Sequence, residues 1–570
     1  MTPSAAASAL FIGTSLIHIR AKGSADRELH GTDHLSSQLK ELSKLTFPLD
    51  GGAFARAITD IRLFLSRTTL QKLLPLAKVV ELLQLLRDFF LLGRGEFAMA
   101  LTQQAELKIR SRWKRADNLA YEKREGLANV VVKDGEVAAV LGATWAALGS
   151  MQGQHADEDE GLELARDLLR LNIAHHKNST PAKSAVGSIA TTPFRNLLFS
   201  VPAVLTLQIP SPLDLFLTTA DAQAYSAINA YLLSVRRAHL HLTDLWKVSP
   251  LRRHHPPPPA PPYKGPRDAH ARVVVLRRRH ELRSNVMRGA WATSSAAIFF
   301  LAETEAYLQT EVVAGLWEGF QRWLTTGADE PRQEKVSKTP KPATTPVGKA
   351  AVAEDDQTDE DGDDVWLAVA TSELAVSPSS SRQEQQSLSH PPQQHRHDPQ
   401  TLATAHRVYL RTLARRLLLT RQSFTEPLYE LLVRIDRLVA LIHRLHAIWT
   451  AADLEADAGV VDAFVDLDRE EAGVRRELRA VEDAVRTGVQ GVVAVLRTLE
   501  DDGRASAGDE VGGDGTAEGA EDGDDDVAMR EAGMYVPRRI GGLDRLLMKL
   551  NFGTWFDSGG PREEDDDEDD

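Results

Sequence analysis

The sequence predicts an all-α protein, an elongated stack of helical bundles broken by long disordered acidic and Pro-rich inserts. Leu431, Ile435, Leu438, Ile442, Leu445 and Trp449 alternate steps of four and three, the spacing that lets helices pack knobs into holes. Pro212–Trp246 holds a second long apolar periodicity. With Ile228 as zero and 100° per residue, Tyr231, Leu232, Val235, His239, Leu242, Leu245 and Trp246 share one face, and Arg237 and His241 fall opposite. Between such stretches lie runs of Pro, Ser, Gln and acid that cannot build a core.

Along the chain, residues 9 to 20 (ALFIGTSLIHIR) predict a short buried segment leading into a polar connector. Helices follow at Ala53–Leu65 and Leu70–Leu92, the second with Val79, Leu82, Leu83, Leu86 and Phe90 on one stripe. Leu91-Leu92-Gly93-Arg94-Gly95-Glu96-Phe97 predicts a corner between helices, its glycines supplying any positive φ. Glu163–His175 predicts another helix and about 177–192 a Ser/Thr/Pro linker; Phe194–Leu217 then leads back to the Pro212–Trp246 stretch. Pro212 stands outside the helix it precedes, and Thr218 or Thr219 with Asp221 in the first turn supplies a capping oxygen and a suitable charge.

About 250–270, with HHPPPPAPPYKGPR, predicts an exposed polyproline-like insert, either a spacer or a ligand for an aromatic groove. His280–Trp317 is the next helix, and 327–397 a disordered insert. Thr401–Thr420, the 431–449 seam and Val474–Leu499 continue the helices. After an acidic insert at about 501–530, Leu543–Phe556 closes the folded part, and 557–570 is an acidic tail.

At 570 residues the chain has room for two folded units with inserts. It has no cysteine, which excludes disulfides, thiolate catalysis and thiol zinc sites. The longest apolar run, Leu197–Ile209, is about 13 residues and contains Pro202, short of the roughly 20 that span a bilayer, so no membrane partner is expected. The net charge of −14 is distributed in blocks. Glu354–Asp364 holds 8 acids, Asp501–Asp526 holds 11 against Arg504, and Pro561–Asp570 holds 8 against Arg562. Those blocks exceed the whole net charge, so the helical remainder is basic and suits an acidic protein partner or nucleic acid, between which charge alone does not choose.

Converging catalytic chemistry is missing from the pattern. No G-x-S-x-G or H-E-x-x-H occurs, and Gly93 and Gly95 lack the Lys-Ser or Lys-Thr and the third glycine of nucleotide motifs. His406 has no second ligand three or four residues away, so packing or a hydrogen bond is its expected role, and neither metal nor cofactor is expected. Arg252, Arg253, Arg272, Arg277, Arg278 and Arg279 form the strongest basic patch. No aromatic ladder or recognisable module accompanies it, so nucleic acid is not the expected partner; a scaffold binding nucleic acid or ribonucleoprotein there is the alternative reading.

Several of these stretches resemble one family. The Pro212-Leu213 entry followed by Tyr231-Leu232-Leu233-Ser234-Val235-Arg236-Arg237 and Trp246 is similar to the central signature of the gamma-tubulin complex components, and its wording is closest to the component four branch. Leu91–Phe97 resembles the element that opens that family's carboxy-terminal half, and residues 9 to 20 a segment late in its amino-terminal half. Ile298-Phe299-Phe300-Leu301 with Tyr307–Val313 resembles the next helix, with a phenylalanine pair for the usual tyrosines and a drift in spacing. Leu402, Ala405, His406, Tyr409, Leu410 and Leu413, then Leu543–Phe556, carry two further motifs, so the resemblance runs from about residue 9 to 556.

The resemblance implies residues 1–78 as the remnant of an amino-terminal, laterally contacting domain, its first bundles absent, and 79–556 as a domain that binds gamma-tubulin. It implies a non-enzymatic role in microtubule nucleation at spindle poles and other microtubule-organising centres, in the cytoplasm and cytoskeleton. Partners would be gamma-tubulin, which brings its own GTP, and other complex components. Arg236 and Arg237 are the expected gamma-tubulin contacts, with Arg407, Lys549 and Asn551 as further candidates. On this reading Arg237→Glu spares the fold, whereas Leu232→Asp disrupts it.

Overall fold

The computed structural model describes residues 12–13, 37, 39–40, 43–44, 51–64, 75–115, 133–152, 159–174, 189, 192–199, 201–246, 267–326, 399–458, 467–508, 535–538 and 540–552. The inserts expected at 177–192, 250–270, 327–397 and 501–530 lie largely outside them, as do residues 9 to 20 apart from Ile12 and Gly13, which are helical. Residues 329–394 group as a unit of their own, and no part of that unit is among the described residues.

Helices dominate. They are α1 (Gly51–Phe64), α2 (Leu76–Leu85), α3 (Gly95–Arg115), α4 (Asp134–Gln152), α5 (Glu160–Leu168), α6 (Thr219–Leu245), α7 (Arg267–Ala306), α8 (Ala314–Thr326), α9 (Pro399–Arg416), α10 (Gln422–Ala458), α11 (Leu467–Gly508) and α12 (Asp544–Phe552). A π-helical turn, Leu86–Phe90, continues α2, and another, Tyr307–Val313, joins α7 to α8. A π turn inserts about one residue into the winding. The second turn falls on the stretch where spacing departs from the family pattern.

The stripes locate the core. Leu431, Ile435, Leu438, Ile442, Leu445 and Trp449 of α10 are all buried and meet α11, whose Val474, Leu478, Val481, Val485, Val492 and Leu496 line its facing side. Val79, Leu82, Leu83, Leu86 and Phe90 are buried likewise, and all belong to one continuous apolar core.

Three local expectations need correction. The helix expected over Glu163–His175 stops at Leu168. Leu169–Ile173 is instead a strand, β1, paired antiparallel with β2, Ala203–Leu207, in the register Leu169↔Leu207 and Leu171↔Leu205. Leu169, Leu171, Ala203, Leu205 and Leu207 turn to the core, a period of two that five residues express too briefly to compete with the helical pattern preceding them.

At the Leu91–Phe97 corner the positive φ, 59°, belongs to Leu92 and not to a glycine. Gly93 is needed there for a different reason, close approach: a Cβ would lie 3.0 Å from Asp88 Oδ1 and 3.1 Å from the Arg87 carbonyl oxygen. Helix ends also extend further than expected. α7 begins at Arg267 and α11 continues to Gly508, each entering a stretch assigned to an insert. Asp501 and Asp502 simply prolong the exposed face of α11, because a charge run at the surface does not by itself stop helix propagation.

Candidate functional site

The first turn of α6 is built as the sequence implies. Thr218 caps the helix, accepting from the Asp221 amide, while Asp221 Oδ2 accepts from the Thr218 amide at 3.1 Å. That reciprocal pair satisfies two otherwise orphaned donors. Beyond it, α6 departs from the one-stripe picture. Besides Tyr231, Leu232, Val235, Leu242 and Leu245, the residues Ser226, Asn229, Ser234, Arg237 and His241 are buried, and His239 and Trp246 are only half-buried. α3, α7, α9, α10 and β2 all pack on α6, so it is the central rod, enclosed nearly all round.

Four of the buried polar side chains on it, Ser226, Ser234, Asn229 and Tyr225, are hydrogen-bonded to neighbouring elements. Ser226 Oγ donates to the Leu205 carbonyl of β2 at 2.6 Å, and Ser234 Oγ to Phe194 at 3.1 Å. Asn229 Nδ2 lies 3.1 Å from both the Phe89 and Phe90 carbonyls, at the end of the first π turn. Tyr225 Oη stands 2.9 Å from His406 Nε2, so the α9 histidine is hydrogen-bonded and enclosed by Phe216, Phe320 and Tyr409, as its lone position in the sequence implied. Burial lowers the His406 imidazole to about 4 and holds the ring neutral.

Arg237 corrects the sequence expectation most sharply. Its side chain is 7% exposed, and Nη1 donates to Asp436 Oδ2 of α10 at 2.5 Å. His241, one turn on, sits 3.4 Å from Asp436 Oδ1 and 3.3 Å from Glu106 Oε2 of α3. The side opposite the apolar stripe therefore faces a charged interior seam between α3, α6 and α10, and not solvent. Burial would raise the Asp436 carboxyl, but Arg237 beside it and His241 hold it below the usual range. Burial and Arg237 would lower His241; Asp436 and Glu106 outweigh them and raise it.

The remaining candidates reach the surface at separate places. Arg236 is 27% exposed, and its Nη1 donates to Glu305 Oε1 of α7 at 2.8 Å; Glu305 Oε2 also holds His239 Nδ1 at 2.8 Å. Arg407 is exposed on α9. Lys549 and Asn551 share α12, the lysine 2.9 Å from Glu303 of α7 and the amide oxygen accepting from Arg497 of α11 at 2.6 Å. Glu303 and Glu305, two residues apart, point to opposite sides of α7, so Arg236 and Lys549 do not share a patch.

α12 carries features that the sequence reading missed. Arg545 pairs with Glu311 at 2.9 Å and Lys549 with Glu303, so α12 lies antiparallel along the end of α7. Glu500 of α11 accepts from the Leu543 amide at 2.9 Å and so holds the start of α12. An open cleft of about 620 Å³ lies between α11 and α12, lined by Arg497, Glu500, Asp501, Asp544, Leu547, Met548 and Asn551, with Met548 60% exposed. An exposed methionine beside charged groups suits adaptable protein contact; the L-L-M-K run at Leu546–Lys549 was its only trace in the sequence.

Among the described residues no cluster of His, Asp and Glu is arranged to hold a metal ion, and no helix is long and apolar enough to cross a membrane. The polar side chains described above act between helices, holding rods in register. The family model described as "Gamma tubulin complex component C-terminal" matches residues 80–556. No curated protein matches the chain. With most of its length covered by that match, the chain belongs to the gamma-tubulin complex component family.

Proposed function

We propose that this chain is a structural component of the gamma-tubulin complex that binds gamma-tubulin, works beside other complex components and supports microtubule nucleation at spindle poles and other microtubule-organising centres of the cytoplasmic cytoskeleton. The observation that carries the reading is the family match over residues 80–556, which includes the α6 signature around which the helical core packs. Residues 79–556 would supply the gamma-tubulin-binding domain and 1–78 the lateral contacts. Within the family, the wording of Leu232–Arg237 favours the component four branch.

The mechanism is positional. Nucleation is slow because the first contacts of a polymer are individually weak and each costs ordering entropy. A rigid holder that keeps one gamma-tubulin in register with its neighbours raises the effective concentration of the next contact. No bond is made or broken by this chain in that role; GTP belongs to the bound tubulin.

Exposure supports four of the candidate contacts. Arg407, Lys549, Asn551 and the open flank of Arg236 are proposed to face the partner, with the Met548 cleft next to Lys549. Arg237 is not proposed again, since Asp436 already occupies its guanidinium inside the protein. The test is affinity purification of the tagged full chain after nuclease treatment. Gamma-tubulin in the nuclease-treated eluate supports the reading, and its loss on nuclease treatment favours the nucleic-acid scaffold instead.

A further inference from the structure

The first half of α7 carries a seam against which no helix among the described residues packs. Ala271, Val275, Arg278, Leu282 and Asn285 are all exposed, and they follow one another in steps of 4, 3, 4 and 3. That alternation places them in one narrow line along the helix, the geometry of a coiled-coil seam and not of a random surface. Val275 is 59% exposed and Leu282 50%, with Val274 at 63% beside them. Exposed apolar residues normally occur singly; a line of them at seam spacing marks a contact surface.

Around this line the inner side of α7 is fully engaged. Arg279 and Arg283 both pair with Asp453 of α10, at 2.5 and 2.8 Å, and the Arg283 guanidinium lies 5.3 Å from the Trp449 ring centre. The helix is thus fixed to α10 through one side while the seam looks outward. The seam ends where α11 crosses. Gly289, the next position in the series, is covered by Glu482, whose Oε2 would stand 2.7 Å from a Cβ at that glycine.

We infer that this seam docks an acidic amphipathic helix from a separate protein, pairing with α7 as a short two-stranded coil. Charge selects the occupant. Arg278 sits inside the seam, and Arg277 and Arg288 are exposed along one margin against a single Glu281. A polar residue at a seam position fixes register and demands a matching partner, here a carboxylate. A second copy of this chain is disfavoured, because Arg278 is the midpoint of the seam and self-pairing about that midpoint sets arginine against arginine. Nucleic acid is disfavoured because Val275 and Leu282 occupy the positions that phosphate-binding side chains would need, and no exposed aromatic among the described residues accompanies them.

This inference is independent of gamma-tubulin binding, since the seam includes none of the residues proposed to face that partner. Its test uses the full chain and a labelled synthetic helix of about four heptads, with Leu at the seam positions, one Glu in the seam and Glu on the flanks. Fluorescence anisotropy with the wild-type chain is expected to show saturable binding. Val275→Ser with Leu282→Ser, and separately Arg278→Glu, should each weaken it about tenfold or more without changing the melting temperature. Arg278→Glu should gain affinity for the same helix carrying Lys in place of its seam Glu.

Equal binding of the acidic helix by wild type and both variants overturns the inference. So does tighter, Arg278-dependent binding of duplex DNA or of phosphatidylserine vesicles, which would reassign the surface to another class of partner. Self-association of the wild-type chain that the serine pair abolishes would overturn it in favour of a second copy.

Discussion

Arg237 on α6 and Asp436 on α10 form an ion pair at 2.5 Å with side chains 7% and 13% exposed, joining positions 199 residues apart in sequence. The pair closes a seam that also includes His241 and Glu106. It changes what substitutions at the signature do.

Arg237→Glu places two carboxylates against each other in the interior, and Arg237→Ala leaves Asp436 without its main partner. Removing one member of a buried pair costs roughly 3–5 kcal/mol, so both variants should melt markedly lower than wild type. Arg237→Met with Asp436→Leu should recover much of that loss, since two apolar side chains strand no charge. Thermal denaturation of the single and double variants measures it; an unaltered melting temperature for Arg237→Glu would contradict the buried placement.

Two histidines set opposite pH limbs. His406, lowered from an ordinary 6.5 to about 4, binds its proton more readily in the unfolded chain, so stability rises with pH between those values. His241 is raised above 6.5, so its contribution is full below that value and is lost as pH rises through the folded one. Melting temperature against pH should therefore pass through a maximum near neutrality. His406→Gln should flatten the acid limb and His241→Gln the alkaline limb, each leaving the other in place.

Asn229→Ala should cost about 1–3 kcal/mol, because the Phe89 and Phe90 carbonyls at the π turn lose their shared donor inside the core. Urea unfolding reads the loss, and hydrogen exchange should rise first across 86–95. Asn229→Asp, which offers no amide donor, should be at least as damaging.

Arg407→Glu and Lys549→Glu change exposed side chains, and the first should leave the unfolding free energy within about 0.5 kcal/mol of wild type. Lys549→Glu also sets a carboxylate against Glu303, so its partner-independent effect is read in parallel. With stability preserved, retention of gamma-tubulin on the immobilised chain should fall for one or both, most at low salt, where charge contacts are least screened. Full retention by both would remove them from the proposed contact surface.

Much of the helical frame was legible because its information is local. The α10 seam, the Val79–Phe90 stripe and the Thr218–Asp221 capping box each need only spacing within a few turns, and the structure bears them out. Arg237 was misplaced because a helical wheel assigns a charged residue to solvent by default. Its inward position depends on Asp436, which lies far away in sequence and supplies no periodic signal. The β1–β2 ribbon was missed for a related reason: its central pair, Leu171 and Leu205, is 34 positions apart, so the pairing is non-local, and five-residue alternation is weak. At the Leu92–Gly93 corner the glycine was the right residue for a different reason, steric approach to Asp88 and not a left-handed backbone.

Mixing the purified full chain with purified gamma-tubulin and weighing the particles in solution tests the central claim most directly. A discrete species of one chain with one gamma-tubulin, formed without nucleic acid and at sub-micromolar concentration, is the expected result. Two separate populations that persist as concentration is raised to the micromolar range would contradict it.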